Sequence, residues 1–313
     1  MSQQASSIPN QGEIGPETSV ITPPDIPPAH DETWIFEETA FLNHSPSRNQ
    51  KMTIPQELKA KESIHDFIIR LGSKLKLDAR TILSATIYLH RFYMRLPITS
   101  SKYYVASAGI TISCKLNDTY RQPDKIALQA CNLKNTSSSP IDEQSDMFWR
   151  WRDQLLYREE LILKALNFDL NIESPYDIRD RLLEHEEEEE EEVDNKKKID
   201  SVLRNSVTLI ETLSSLPILV CYDINTLYAT ALLITLLEYK LKGEDITLPK
   251  RYLVDQVGVE LQACVKCFLF IKKLLKYSQQ DQHYISNKVA ARRILSIPTV
   301  EFEQVITNME EEK

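Results

Sequence analysis

The sequence contains few of the residues that build nucleotide or metal sites. Only 6 of its 313 residues are glycine, and none lies in a GxGxxG pattern or in a phosphate-binding loop ending in Gly-Lys-Ser or Gly-Lys-Thr. The single CxxC pattern, Cys264 to Cys267, falls within an apolar helical pattern that is typical of buried thiols, without a second CxxC or paired histidines. The histidines have no cysteine or serine partner at a recognisable spacing. We therefore predict no cofactor, no metal site and no catalytic residues.

Long apolar runs and an excess of positive charge are also missing. The most apolar stretch, 224–237, includes Asn225 and is shorter than the ~20 residues of a membrane-spanning helix, so we expect a buried core helix and no membrane partner. The first residues lack the basic start and apolar run of a secretory signal, and five cysteines in such a chain indicate reduced thiols inside the cell. The net charge of -9 argues against a protein that coats nucleic acid, so no direct nucleic-acid contact is predicted.

Apolar residues recur at helical spacing along most of the chain, and no strand-like alternation competes with them. Before Pro175 this periodicity predicts five helices, whose starts are marked by capping residues or by proline in a first turn. The third contains four consecutive small residues, 106–109, which favour close approach of neighbouring helices and so indicate a central helix. The five begin near Glu57, after Asp78, after Ser100 or Ser101, at Pro123 and near Met147.

Composition divides the chain into two helical halves with charged or proline-rich connections. Residues 1–33 hold six of the 15 prolines, which predicts a disordered tail. Seven consecutive glutamates, soon followed by three lysines, repel one another and predict a solvated linker over 177–198. Helical periodicity resumes over 199–295, and residues 296–313 are expected to form an acidic tail that frays.

Six short phrases follow one another along the first half of the chain. They are Trp34–Phe36, His44–Ser47, Phe67–Gly72, Thr86–Met94, Ser113–Leu116 and Leu166–Leu170. Each phrase alone is weak, but in this order and spacing they resemble the first cyclin box of the transcription cyclins of the K and T group. The resemblance covers 34–176, and the five predicted helices agree with the helix number of a cyclin box. The second half is similar in helix order to a second cyclin box, with less specific motifs.

The resemblance implies an all-α fold of two tandem five-helix cyclin-box domains, the first over 34–176 and the second over 199–295. It also implies a nuclear regulatory subunit, not an enzyme, that binds and activates a cyclin-dependent kinase. Lys115 and Glu159 match the family's kinase-facing pair, and Leu116 matches a neighbouring apolar contact. Asn117 and the aspartate after it replace the acidic pair that the family usually carries, which reduces the charge supporting the lysine.

Two segments refine the resemblance within the group. Asn117–Lys125 and Phe148–Leu155 look most like the fungal cyclin of the Bur kinase complex. This implies a P-TEFb-like kinase as the partner and, through it, the RNA polymerase II C-terminal domain and elongation factors as substrates. The cyclin of the related carboxy-terminal-domain kinase I complex and a non-activating cyclin-box adaptor are the alternatives. A scaffold like transcription factor IIB would need a zinc ribbon and a basic surface, and a helical enzyme would need a nucleophile, metal cluster or phosphate loop; the sequence indicates neither.

Overall fold

The fold is helical in the part of the chain that the structure describes. A computed structural model describes residues 34–188, 193–244, 246, 248–279 and 288–310. These residues contain helices and no strand, so the predicted all-α class is confirmed for them. The predicted disordered tail, residues 1–33, lies outside the described residues.

The first half contains two short helices followed by five long ones. The five long helices are those that the periodicity predicts, whereas the two short ones were not predicted. In chain order the helices are α1 (Glu38–His44), α2 (Pro46–Asn49), α3 (Ile54–Leu75), α4 (Ala79–Tyr93), α5 (Lys102–Leu116), α6 (Pro123–Lys134) and α7 (Asp146–Ala165).

Local sequence signals account for several helix starts. Thr53 and Gln56 form a reciprocal capping box at the start of α3, in which each side chain bonds the backbone of the other. The Asp78 carboxylate accepts a hydrogen bond from the Thr81 amide (2.6 Å) at the start of α4, as predicted. Pro123 lies in the first turn of α6, where its missing N–H group has no helical partner to lose.

Helix α5 is the centre of the first half, as its small residues predict. All residues from Val105 to Cys114 are buried, and α5 packs against α3, α4, α6 and α7. A Cβ atom on Gly109 would lie 3.2 Å from the Leu89 side chain, which shows how closely α4 approaches. Gly72 has a similar role between α3 and α4, because a Cβ there would lie 2.7 Å from Ile82 Cδ1. At both positions a larger residue would force the neighbouring side chain to shift, because the interior is closely packed.

The second half is built around one largely buried helix. Residues 224–237, predicted to be a core helix, form most of α10, and nearly all of their side chains are buried. No helix among the described residues is long and apolar enough to span a membrane. The helices are α8 (Pro175–Glu188), α9 (Val193–Leu213), α10 (Ile224–Leu241), α11 (Leu261–Gln279), α12 (Lys288–Ser296) and α13 (Thr299–Glu310), with a 3-10 turn at Pro217–Val220 and a π-helical turn at Leu253–Val257.

Two connections predicted from charge are packed helices instead. Most of the predicted linker 177–198 belongs to α8 and α9, and Ile178 and Leu182 of α8 are buried in the core of the second half. The predicted acidic tail 296–313 contains α13, whose Phe302 ring stacks on Phe268 with centroids 4.1 Å apart. In both cases a few apolar residues at helical spacing outweigh a charged composition. Within 199–295, where five helices were expected, the described residues hold α10, α11 and parts of α9 and α12, together with the 3-10 and π-helical turns.

The two halves pack against each other along α1, α3 and α4. The Phe36 amide donates a hydrogen bond to the Val220 carbonyl oxygen (2.7 Å), and Tyr222 Oη donates to Glu38 Oε1 (2.5 Å). Phe36 is buried in the same apolar cluster as the second half's core. The halves therefore share buried surface as well as hydrogen bonds.

A buried polar network also crosses this junction. His90 Nε2 lies 2.7 Å from the Ser214 carbonyl oxygen, which can only accept, so Nε2 carries the proton and Nδ1 accepts from Lys61 Nζ (3.5 Å). Ser214 Oγ donates to the Glu211 carbonyl oxygen (2.7 Å), so it accepts from His65 Nε2 (2.8 Å). Burial lowers the pKa of His65 to about 4 and that of His90 well below its usual value. Both imidazoles are therefore neutral near neutral pH.

Candidate functional site

Helices α5 and α7 run side by side in the same direction. Trp151 Nε1 donates a hydrogen bond to Ser107 Oγ (3.3 Å), and further along both helices Lys115 Nζ donates to Glu159 Oε1 (2.5 Å). Both contacts join residues that are 44 positions apart, so residue numbers increase in the same direction along the two helices. The C-terminal ends of α5 and α7 therefore lie at the same end of the bundle, and the predicted pair is brought together there.

The ion pair at this end joins an exposed cation to a largely buried carboxylate. The Lys115 side chain is 46% exposed, whereas that of Glu159 is 11% exposed. Lys115 lies in the last turn of α5, where the partial negative charge of the helix end stabilises a cation. Within the described residues its one hydrogen bond goes to Glu159, and an ammonium group carries three donors. Glu159 thus fixes the lysine and leaves donors for a partner molecule.

Two exposed apolar side chains lie at the same end of the bundle. Leu116 is the last residue of α5 and is 49% exposed, and Phe168 follows α7 and is 67% exposed. Asn167 and Phe168 both have left-handed backbone conformations, with φ of 53° and 59°, which end the helix. The sequence singled out Leu116 but not Phe168 as a contact residue, although Phe168 belongs to one of the family phrases. The end of the bundle therefore combines apolar surface with charge.

Side-chain hydrogen bonds hold the loop that follows α5. Asn117 Nδ2 donates to the Ser113 carbonyl oxygen (3.0 Å), which satisfies a carbonyl group at the end of the helix. Arg121 Nε donates to the Leu75 carbonyl oxygen (3.1 Å) and so joins the loop to the end of α3. Asn117, where the family usually has an acidic residue, therefore caps α5, and Glu159 supplies the carboxylate that orients the lysine.

The segment that follows α7 is anchored by the first described residue. Trp34 Nε1 donates to Asp169 Oδ2 (2.9 Å), and the Arg95 guanidinium lies 4.6 Å from the centroid of the Trp34 ring. Arg95 also donates to Asn167 Oδ1 (3.2 Å). These contacts fix the backbone on both sides of Phe168. Trp34 therefore helps to position the segment that carries Phe168. The sequence pattern alone did not predict this role.

Other residues of the family phrases have packing roles. Phe92, Tyr93 and Met94 are buried, and the Arg91 guanidinium donates to the Asn171 carbonyl oxygen (2.8 Å). Trp151, on α7, is likewise buried in the core of the first half. These residues build the scaffold that holds α5 and α7.

The cysteines do not form a metal site within the described residues. All five are free and buried, and no group of three histidine, cysteine or acidic side chains in this part of the chain is placed to hold a metal ion. Burial raises the pKa of the Cys264 thiol to about 11 and that of Cys267 well above its usual value. The interpretation of the CxxC pattern as buried thiols is confirmed.

The first half of the chain matches a known family. Residues 33–171 match the family described as "Cyclin, N-terminal domain". This segment is a cyclin N-terminal domain. Its boundaries agree with the region in which the sequence phrases resemble a cyclin box, so that resemblance is confirmed for the first half.

Several curated cyclins are similar to this domain. Cyclin pch1 of Schizosaccharomyces pombe is 35% identical over 155 residues, which are 48% of this chain and 45% of pch1. Cyclin-T1-2 of Oryza sativa is 28% identical over 151 residues, 47% of this chain and 24% of that protein. Cyclin-T2 of Homo sapiens is 25% identical over 144 residues, 46% of this chain and 20% of that protein. The chain thus covers less than half the length of each.

A solved structure shares the fold over more of the chain. It is a chain in the crystal structure of the yeast RNA Pol II CTD kinase CTDK-1 complex, at 15% identity and a TM-score of 0.59. The alignment covers 90% of this chain and 84% of that one. The common fold therefore extends beyond the cyclin N-terminal domain into the second half.

Proposed function

We propose that this chain is a regulatory cyclin that binds and activates a cyclin-dependent serine/threonine kinase. The kinase phosphorylates the RNA polymerase II C-terminal domain and elongation factors. The observation that carries the proposal is the ion pair of exposed Lys115 with buried Glu159 at one end of a cyclin N-terminal domain, with Leu116 beside it. The fold shared with a chain of an RNA Pol II CTD kinase complex is consistent with this substrate.

Activation follows from binding one conformation of the kinase better than the other. A protein kinase needs its strand lysine paired with the glutamate of its C-helix before the ATP phosphates are held correctly. A partner that binds only when this helix is turned inward shifts the equilibrium toward the paired state. The chain supplies binding energy alone, so it acts as a regulatory subunit without a catalytic residue or cofactor of its own.

The exposed end of α5 and α7 has the chemistry for such a contact. The Lys115 ammonium has donors left for backbone carbonyl oxygens of the kinase, and Glu159 keeps it in place. Leu116 and Phe168 provide apolar area that the free chain leaves in water. Burying apolar side chains contributes affinity, whereas the charged pair sets the orientation of the partner.

The second half of the chain is proposed to be a further domain of the same kind. We assign residues 199–295 as a second cyclin box, because its helices follow the first half in a fold shared over 90% of the chain. Its buried junction with the first half keeps the two domains together. A regulator of polymerase phosphorylation acts in the nucleus, which is the location we propose.

A P-TEFb-like kinase of the Bur type is the partner that we favour. The phrases Asn117–Lys125 and Phe148–Leu155 support it. The second candidate is the kinase of the carboxy-terminal-domain kinase I complex, which the shared fold with a CTDK-1 chain favours. The two candidates predict the same site on this chain and differ in the kinase subunit that binds it.

Coexpression with each kinase subunit tests the proposal. The measurements are copurification and phosphorylation of a polymerase C-terminal-domain peptide with and without this chain. Lys115→Glu is the test variant. Lys74→Glu is its matched control, since Lys74 is also an exposed lysine in the last turn of a helix.

Binding with stimulation that Lys115→Glu abolishes and Lys74→Glu preserves would support an activating cyclin that uses the predicted end. Stimulation of the second kinase alone would move the chain to the related complex. Binding without stimulation of either kinase would favour the adaptor. If Lys115→Glu and Lys74→Glu stimulate the kinase equally well, Lys115 does not belong to the interface.

A further inference from the structure

A cleft of about 530 Å³ opens between the two halves of the molecule. Its volume lies within the range of about 300–1,000 Å³ that is typical of ligand-binding pockets. The first half contributes Trp34, Ile87 and Ile172 to its lining, and the second half contributes Leu219 and Leu227. The cleft includes none of the three residues assigned above to kinase binding. It is therefore a separate surface with its own apolar lining.

The charged residues that line the cleft are mostly acidic. Asp169, Glu173 and Asp223 all border it. Asp169 accepts hydrogen bonds from the Trp34 indole and the Asn171 backbone amide, and Asp223 accepts two from the backbone and hydroxyl of Thr226. These donors are uncharged, so the one charge near Asp169 among the residues that line the cleft is the Arg91 guanidinium. Glu173 is exposed and has no ion pair within the described residues.

Arg91 is the single cation among the described residues that line the cleft. Its guanidinium lies 5.5 Å from the Trp34 ring centroid, and one terminal nitrogen donates to the Asn171 carbonyl oxygen (2.8 Å). Its Nε atom is buried and has no hydrogen-bond partner within the described residues. That atom is enclosed by the protein, so it is not available to a molecule in the cleft.

We infer that this cleft binds an extended segment of a partner protein in which a lysine or arginine lies next to apolar residues. The basic side chain pairs with the acidic lining, and the apolar side chains cover the isoleucines and leucines. An acidic segment would face three carboxylates and one guanidinium, so like charges oppose it. The inference concerns the chain alone and does not depend on the identity of its kinase.

Fluorescence anisotropy with two labelled octapeptides tests this inference. The first contains one arginine and two leucines among glycines and serines, and the second has glutamate in place of the arginine. Each is titrated with the full chain and with the variants Glu173→Gln and Glu173→Lys. The matched control is Glu184→Lys, an exposed glutamate of α8 that does not line the cleft. Far-ultraviolet circular dichroism checks that all variants fold.

The arginine peptide is expected to bind and the glutamate peptide is not. Glu173→Lys should weaken binding by about tenfold or more, Glu173→Gln by less, and Glu184→Lys should leave it unchanged. Added salt should weaken the complex, because the charges are solvent-accessible. Failure of the arginine peptide to bind, equal binding of both peptides, or equal affinity of the wild type and Glu173→Lys would each overturn the inference. Preference for the glutamate peptide would assign the cleft to an acidic partner instead.

Discussion

Lowering the pH from about 7 to about 5 is expected to destabilise the junction between the two halves, because a buried histidine there stays neutral in the folded chain. His65 Nε2 donates to Ser214 Oγ across this junction. Burial lowers the pKa of His65 from 6.5 to about 4. Below about pH 6.5 the unfolded chain binds this proton and the folded chain does not. The stabilisation is therefore complete above that pH and is lost as the pH falls toward 4.

The magnitude follows from the two pKa values. A histidine pKa lowered from 6.5 to about 4 corresponds to roughly 3 kcal/mol when the pH is below both values. At about pH 5 the unfolded imidazole is mostly protonated and the folded one mostly neutral, so the loss is roughly 2 kcal/mol. Typical domains have only about 5–15 kcal/mol of stability in total, so the effect is measurable. The lowered pKa of His90 acts in the same direction.

Urea unfolding at the two pH values, followed by circular dichroism, measures the loss. The comparison is between the wild type, His65→Gln and a control, His44→Gln, which changes an exposed histidine. Glutamine retains an N–H donor but does not titrate, so His65→Gln should lose roughly 2 kcal/mol less than the wild type between the two pH values. The control should behave like the wild type. Equal losses in the wild type and His65→Gln would refute the assignment of the proton to His65.

Three further perturbations test the proposed kinase-facing end and the packing of the first half. Phe168→Ala should weaken kinase binding by about tenfold or more without changing the melting temperature, because the ring is exposed in the free chain; calorimetric titration and a thermal melt measure the two quantities. Gly72→Ala should cost about 1–3 kcal/mol, because the added Cβ would meet Ile82 Cδ1, and adding Ile82→Val should recover part of the loss in urea unfolding. Glu57→Gln should cost about 3–5 kcal/mol, because it leaves the Arg48 guanidinium without its buried carboxylate. Asp66→Asn, which removes an exposed pair with Arg70, should change stability by less than about 1 kcal/mol in the same assay.

The long helices of the first half could be predicted because each carries its own signals. Asp78 and Pro123 mark helix starts, and the small residues of α5 mark its central place. The short helices α1 and α2 depend on contacts with distant residues, such as the pairing of buried Ser45 with Glu57 (2.9 Å). Helix α8 was not predicted, because its composition is dominated by charged residues. Two buried residues, Ile178 and Leu182, pack it against the core. Composition describes the exposed face of such a helix and not the buried one.

The candidate site was predicted through family resemblance and not through spacing. Lys115 and Glu159 are 44 positions apart, and only the parallel packing of α5 and α7 brings them together. The buried network could not be predicted at all, because His65 and Ser214 are 149 positions apart and belong to different halves. The cleft likewise takes its lining from both halves. Sites of this kind depend on tertiary packing that local patterns do not contain.

The segment after α7 belongs to both proposed binding surfaces. Phe168 lies at the end proposed to face the kinase, and the next residue, Asp169, lines the cleft and accepts a hydrogen bond from Trp34. Trp34 itself is held beneath the guanidinium groups of Arg91 and Arg95. One peptide bond joins Phe168 to Asp169, so a peptide that contacts Trp34 and Asp169 restricts the backbone that carries Phe168. Under the two proposals, we therefore expect occupation of the cleft to change the presentation of Phe168 to a kinase through the same anchor.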